Sequence, residues 1–131
     1  MTEKKKINFE RLMSAAELAS KRPKKVIWHT IDITIKYSIS LDEYLSLTTA
    51  IINSCTDGDG NCALAFIDFA TRANIVQAYT NLSLPDNLSA LYQVLYSTDL
   101  YETVYKNANM AQIDSIVDLV KSLIKTGESY G

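Results

Sequence analysis

From Ile31 to Ile39 every odd position of the chain is apolar and every even position is polar. Strand side chains alternate between faces, so this period predicts one buried and one wet face. Just upstream, Ile27, His29 and Ile31 share the parity of the later isoleucines, while Val26 and Trp28 have the other. A two-strand hairpin turning near 29–31 accounts for the change, although no Gly or Asn-Gly turn signal is present. One long strand is the competing reading. The period then changes at Ser40-Leu41-Asp42-Glu43, a capping box in which Ser40 and Glu43 satisfy each other's amide hydrogens. Ile39 and Tyr44 flank it as a hydrophobic staple. A helix follows, with Leu41, Tyr44, Leu45, Thr48, Ile51 and Ile52 at helical spacing.

Helical spacing recurs on both sides. Phe9, Leu12, Met13, Ala16, Leu18 and Ala19 predict a short helix over 8–20, ended by Pro23 and preceded by a mobile polar leader, 1–7. Residues 62–80 hold the longest periodic run, with Ala63, Phe66, Ile67, Ala70, Ala73, Ile75, Val76 and Tyr79, and predict the central helix. After the break at Leu84-Pro85, a helix from Asp86 or Asn87 to Tyr96 should turn Leu88, Leu91, Tyr92 and Leu95 inward. Asp99 with Glu102, and Asn109 with Gln112, read as two further capping boxes. The second opens a helix over 110–125, which Gly127 should stop. The expected fold is therefore α+β and predominantly α-helical. It has an N-terminal helix, one β-hairpin near 25–38 and about five further helices in one domain, 8–125, with a flexible tail, 126–131.

A chain of 131 residues, 47% of them apolar, can bury a real core. Its net charge of −2 gives no global pull towards nucleic acid. Charge is uneven, though. The first 25 residues carry eight of the 13 basic side chains, and the remainder is acidic. Such runs are usually solvated ends, with a nucleic-acid or acidic-partner patch as the minority reading. No apolar run approaches the roughly 18 residues of a membrane span, and the charged N-terminus does not resemble a signal peptide. Cys55 and Cys62 are too few for a four-ligand metal site and too far apart for a C-x-x-C pair, so they read as free thiols of a cytosolic protein.

Candidate chemistry is sparse. Asp57, Asp59, Asn61 and Asp68 occupy positions 1, 3, 5 and 12 of an EF-hand-like loop. Cys62 replaces the glycine at position 6 and Asp68 is short for bidentate binding, so the plainer reading is an interhelix loop with Asn61 as a helix cap. His29 has no nucleophile or acid at recognisable spacing, and Asp42-Glu43 and Asp114 with Asp118 fit helix starts or wet faces. No phosphate-binding glycine motif is present. Neither a catalytic residue nor a cofactor is expected. Tyr79, Tyr92, Tyr96, Tyr101 and Tyr105 crowd one third of the chain, either as core rings with hydroxyls at the rim or as lining of a protein-binding groove. If the isoleucine face packs on helices, Trp28 lies on an opposite, exposed face with Thr30 and Asp32, beside Lys24 and Lys25. That makes an aromatic anchor with a positive rim. Should Trp28 belong to the core, the partner site falls to the tyrosines of 92–105, Tyr92, Tyr96 and Tyr101 first among them with Tyr105 beside them.

The order of a hairpin, Ile39-Ser40-Leu41-Asp42-Glu43-Tyr44, Asp68-Phe69-Ala70, Tyr79-Thr80-Asn81-Leu82-Ser83-Leu84-Pro85 and Tyr96-Ser97-Thr98-Asp99-Leu100 resembles small phage and prophage proteins of low-GC Gram-positive bacteria. In length and order the chain is similar to phage tail assembly chaperones. The resemblance covers 25–125 and rests on structural punctuation rather than on a catalytic motif. It implies a mostly helical, non-enzymatic protein that binds a phage structural protein, in the host cytoplasm or in the virion. Two alternatives stand beside it: a phage-encoded inhibitor of a bacterial defence system that binds a host protein by its surface, and a divalent-cation-dependent regulator using 57–68.

Overall fold

The computed structural model describes residues 2–19, 21–55 and 64–130. Among them are α1 (Thr2–Ala19), β1 (Lys24–Trp28), β2 (Ile31–Ile35), α2 (Leu41–Cys55), α3 (Leu64–Tyr79), α4 (Leu88–Tyr96), α5 (Leu100–Asn107) and α6 (Met110–Tyr130). The architecture is the expected one, a predominantly helical α+β domain with a single two-stranded antiparallel hairpin.

The hairpin turns on two residues, His29 and Thr30, both with positive φ (48° and 65°). Positive φ at both central residues is what a type I′ turn requires, and its twist matches that of the strands it joins. With two residues in the turn, Trp28 pairs with Ile31, Val26 with Ile33 and Lys24 with Ile35. Paired residues share a face, so the parity change carries Trp28 and Val26 onto the isoleucine face. This corrects the expectation of an exposed tryptophan. Trp28 is half-buried against the core, and its indole N–H donates to Asp99 Oδ1 at 2.8 Å. The outward face carries Lys25, Ile27, Asp32 and Thr34 instead, and Thr30 sits in the turn.

The outer edge of β2 is covered by the exit of α3. Lys36 N–H donates to the Tyr79 carbonyl at 2.7 Å, and Thr34 N–H to Asn81 Oδ1 at 3.0 Å. Ile33 and Ile35 thereby enter a core centred on Ile75, Val76 and Tyr79 of α3. Ile51 of α2, Leu95 of α4, Leu100 and Val104 of α5, and Ile113, Ile116 and Val120 of α6 close around it. As expected, α3 is the central helix, in contact with α2, α4 and α5.

The capping box forms as read. Glu43 N–H donates to Ser40 Oγ at 3.2 Å, and Ser40 N–H to Glu43 Oε1 at 3.3 Å. Lys36 Nζ adds an ion pair to Glu43 at 2.8 Å. Lys36 and the capping bonds hold the Glu43 carboxyl below its usual value. The buried stripe of α2 is Leu47, Thr48 and Ile51, with Tyr44 half-buried, while Leu41 and Leu45 face solvent. The stripe is rotated towards the surface that α3 and α6 present, and within it Tyr44, Leu47, Thr48 and Ile51 keep i, i+3, i+4, i+7 spacing.

The other two boxes are diverted. Asn109 Oδ1 does accept the Gln112 amide hydrogen at 3.2 Å, but the Gln112 side chain turns inward. There it accepts from Ile39 N–H (2.9 Å), donates to the Ile39 carbonyl (3.1 Å) and accepts the Tyr79 hydroxyl (2.5 Å). One side chain thus ties the strand-to-helix junction to both α3 and α6. Asp99 makes no side-chain cap, its carboxylate being turned to Trp28, and Thr98 Oγ1 takes the Leu100 amide instead.

Both chain ends are more helical than the pattern implied. The first helix starts at Thr2, within the stretch read as a leader, and α6 runs through Gly127 to Tyr130. A single interior glycine costs a helix about 1 kcal/mol and does not end it unless the chain also turns away. Every described side chain of α1 from Asn8 to Ala19 is exposed, including Phe9, Leu12, Met13 and Leu18.

Candidate functional site

The helix α4 is apolar on two sides. Leu91 and Leu95 are buried in the core. Leu88, Tyr92 and Tyr96, spaced four apart, form a second stripe that faces out: Leu88 is 60% exposed, Tyr92 56% and Tyr96 37%. The expectation that Leu88 and Tyr92 turn inward is therefore corrected. An N-cap at Asn87, whose Oδ1 accepts the Ala90 amide hydrogen at 2.9 Å, fixes the helical phase that separates the two stripes.

The second stripe meets α3. The Phe69 ring stacks on Tyr92 at 6.1 Å and on Tyr96 at 6.3 Å, Tyr92 lies 4.7 Å from Tyr96, and Phe66 leans on Phe69 at 5.0 Å. Together with Asp68, Leu88 and Ser89 these rings line an open groove of about 560 Å³. Its walls are aromatic and aliphatic, and Asp68 is the only acidic or basic residue in its lining among those described.

The rings are held by a polar cluster. Tyr96 O–H donates to Asp68 Oδ2 at 2.5 Å, and Arg72 Nε donates to the same oxygen at 3.0 Å. The Arg72 guanidinium lies between the Tyr96 ring at 5.0 Å and the Tyr101 ring at 4.8 Å, and its Nη1 reaches Glu102 at 3.5 Å. Delocalised and weakly hydrated, guanidinium suits this sandwich between two π faces. Burial, and then the Asp68 hydrogen bond, push the Tyr96 hydroxyl well above its ordinary range. Burial pushes Tyr101 up to about 12, against a smaller lowering by Arg72. Both hydroxyls stay neutral at physiological pH; Tyr96 is a fixed donor to Asp68, and both rings wall the Arg72 guanidinium. Beyond Asp68 lies a second, more polar hollow of about 370 Å³ lined by Thr71, Arg72, Tyr101, Val117 and Lys121.

Of the residues picked from sequence, Tyr92, Tyr96 and Tyr101 are thus brought together around Arg72 and Phe69. Trp28, Lys24, Lys25 and Thr30 belong to the hairpin, where Lys24, Lys25 and Thr30 are exposed and Trp28 is packed. Asp68 is engaged by Arg72 and Tyr96, while Asp57, Asp59, Asn61 and Cys62 lie outside the described residues, as does the side chain of Cys55. Among the described residues no three acidic, histidine or cysteine side chains converge as metal ligands. Phe69 and Arg72 were missed as site residues. The i,i+4 pairs Asp68–Arg72 and Tyr92–Tyr96 were the available signal.

No helix among the described residues is long and apolar enough to cross a membrane. Comparison of the chain with protein-family models, curated proteins and solved structures finds no match.

Proposed function

We propose that this is a non-enzymatic interaction protein that receives a segment of a partner in the α3–α4 groove, and that the partner is a phage structural protein, so that the chain acts in virion morphogenesis as a tail assembly chaperone or structural component. The observation that carries the binding role is the exposed ring pair Tyr92–Tyr96, stacked on the buried Phe69, beside an exposed Leu88. Aromatic side chains with a hydroxyl at the rim are the residues most often found at binding hot spots. Here they are pre-ordered by Asp68 and Arg72, which reduces the entropy lost when a partner docks. The phage assignment is supported by the resemblance described above. Two of the segments that carry it, 79–85 and 96–100, bracket α4, the helix that supplies the groove's outer stripe.

The test is affinity capture from phage-infected cells with the wild-type chain and with Leu88→Asp, a change at an exposed site. Recovery of a virion protein by the wild type and its loss with the variant is the expected result. Recovery of a host defence protein, or equal recovery by both chains, overturns the assignment.

A further inference from the structure

The hairpin has one covered edge and one open edge. On β2 the amides that point away from β1 are taken, Thr34 N–H by Asn81 Oδ1 and Lys36 N–H by the Tyr79 carbonyl. Thr34 stands opposite Lys25, and Asp32 opposite Ile27. In an antiparallel pair, opposed residues either exchange both bonds or turn both outward, and the two kinds alternate. Lys25 and Ile27 therefore turn their N–H and carbonyl groups to the outer edge of β1. Among the described residues no backbone hydrogen bond from another element reaches that edge. The Lys25 side chain is exposed, and Ile27 is 76% exposed. Such a row of unpaired groups is a template for another extended chain.

Charge selects the chain that fits. From Lys21 to Trp28 there are four basic side chains, Lys21, Arg22, Lys24 and Lys25, and no acidic one. Lys24 and Lys25 lie on the edge strand itself. None of the four forms an ion pair among the described residues, and Lys21 lies instead over the Tyr37 ring at 5.4 Å. The neighbouring acids stand elsewhere. Asp32, the hairpin's only acidic residue, is on β2, one strand back from the open edge. Asp99 is bonded to Trp28 at the far end of β1, and Glu17 belongs to α1. A second copy of this edge would bring its own four bases along the same line, the like-charge arrangement by which edge lysines keep sheets apart. Nucleic acid answers the charge but not the alternating row of N–H and carbonyl groups, which an extended backbone matches. We propose that the open edge of β1 takes an extended acidic segment of another protein by strand addition.

The register sets the pattern that segment needs. Partners of Lys25 and Ile27 are two residues apart on the incoming strand and share its outward face, so an acidic and an apolar residue separated by one position suit them. One short added strand lies below standard interface areas, so binding is expected to be micromolar or weaker, falling as salt screens the lysines. Neither Lys25 nor Ile27 lines the α3–α4 groove, so the edge is a docking site beyond the one in the proposed function.

Fluorescence anisotropy on the full chain tests this, with a short labelled peptide of alternating glutamate and valine as the probe. The wild type should bind it at least about tenfold more tightly than a lysine–valine peptide. Lys24→Glu with Lys25→Glu changes two exposed residues and should reverse that preference. Ile27→Pro deletes one outward N–H while sparing the bonds to β2, and should weaken binding at least about fivefold with an unchanged circular dichroism spectrum. Amide exchange followed by NMR gives a second readout on the unmodified chain: saturating peptide should slow exchange at Lys25 and Ile27. Unchanged exchange at both amides overturns the proposal. So does a wild type that binds neither peptide, or both equally, or a preference that the lysine reversal does not move. Displacement of the peptide by single-stranded DNA that leaves both amides unprotected would assign the lysines to nucleic acid and overturn it too. A wild type whose mass in sedimentation velocity rises above 14.6 kDa with concentration, and does so only with Ile27 intact, would give the edge to a second copy instead. Capture of a virion protein and its dependence on Leu88 are read separately, so the proposed function and this proposal can each fail alone.

Discussion

Gln112 is the side chain whose removal should be felt most for its size. Its amide makes three hydrogen bonds at once: both backbone groups of Ile39 and the hydroxyl of Tyr79, a residue with no exposed surface. Gln112→Ala leaves all three partners without their bond. A buried polar group stranded in this way costs about 1–3 kcal/mol. Water admitted to the vacated space can re-pair part of the Ile39 backbone, so the total should fall near 3 kcal/mol rather than at the sum of three full penalties. Tyr79→Phe removes only a donor, because Gln112 Oε1 still accepts from Ile39, and should cost about 1 kcal/mol. In the double variant no phenol is stranded, so it should be more stable than the two separate losses imply, with a coupling of about 1–2 kcal/mol. Urea unfolding of the four chains measures all of this, with unchanged slopes expected. Losses within about 0.5 kcal/mol for Gln112→Ala, or strictly additive effects, would refute the role assigned to this residue.

Three further outcomes follow from particular geometries. Thr30 is β-branched at φ 65°, so Thr30→Gly should raise stability by about 0.5–1 kcal/mol in the same unfolding assay, the relief of αL strain outweighing the added freedom of the unfolded chain. Trp28→Ala should lower stability by about 2 kcal/mol, as a half-buried indole loses both its packing and its bond to Asp99, and the wild-type fluorescence should be blue-shifted. The third outcome is alkaline. The hydroxyls of Tyr79, Tyr96 and Tyr101 are all raised, Tyr101 to about 12, chiefly by burial. A raised folded value contributes stability that is complete below the ordinary value of 10 and is lost as pH climbs through the folded one. Ultraviolet titration should show a late-ionising subset of tyrosines, with unfolding setting in between about pH 10 and 12.

Local signals proved legible where one periodicity decided the outcome. The alternation from Ile31 to Ile39 yielded β2, and the Ser40–Glu43 box yielded the start of α2 to the residue. What failed was phase. A hairpin with a two-residue turn maps i onto i+3, so Trp28 must face the way Ile31 does; treating parity as continuous through His29 and Thr30 put it on the wrong side. In α2, Leu41 and Leu45 competed with Leu47 for the inward stripe. Their spacing alone does not choose, because the choice is made by the surface that α3 and α6 present. Capping signals erred in a related way. Asp99 and Gln112 have the right identity and spacing for local caps, yet partners 71 and 73 residues away hold their side chains. A long-range bond that satisfies an otherwise buried group outweighs a local one that water could replace.

The groove shows why a site of this kind is harder to read than a fold. Tyrosine crowding in 92–105 announced aromatic surface, but the pattern on α4 could not say which stripe was core, since Leu91 with Leu95 and Leu88 with Tyr92 are equally apolar. Burial is decided by α5 and the hairpin tip: Asp99, at the turn between α4 and α5, is held by Trp28, and Leu100 and Val104 are buried just beyond it. Leu91 and Leu95 are buried in the same core, so Leu88 and Tyr92 are left outward. Neither the Trp28 contact with Asp99 nor the outward turn of Tyr92 could be read from local spacing. The tryptophan assigned to a partner instead anchors the turn beside the helix that carries the exposed rings, and a partner that docks on those rings meets a surface already fixed by the hairpin. Binding at the groove and stability of the hairpin should accordingly be coupled through Trp28 and Asp99, although neither residue lines the groove.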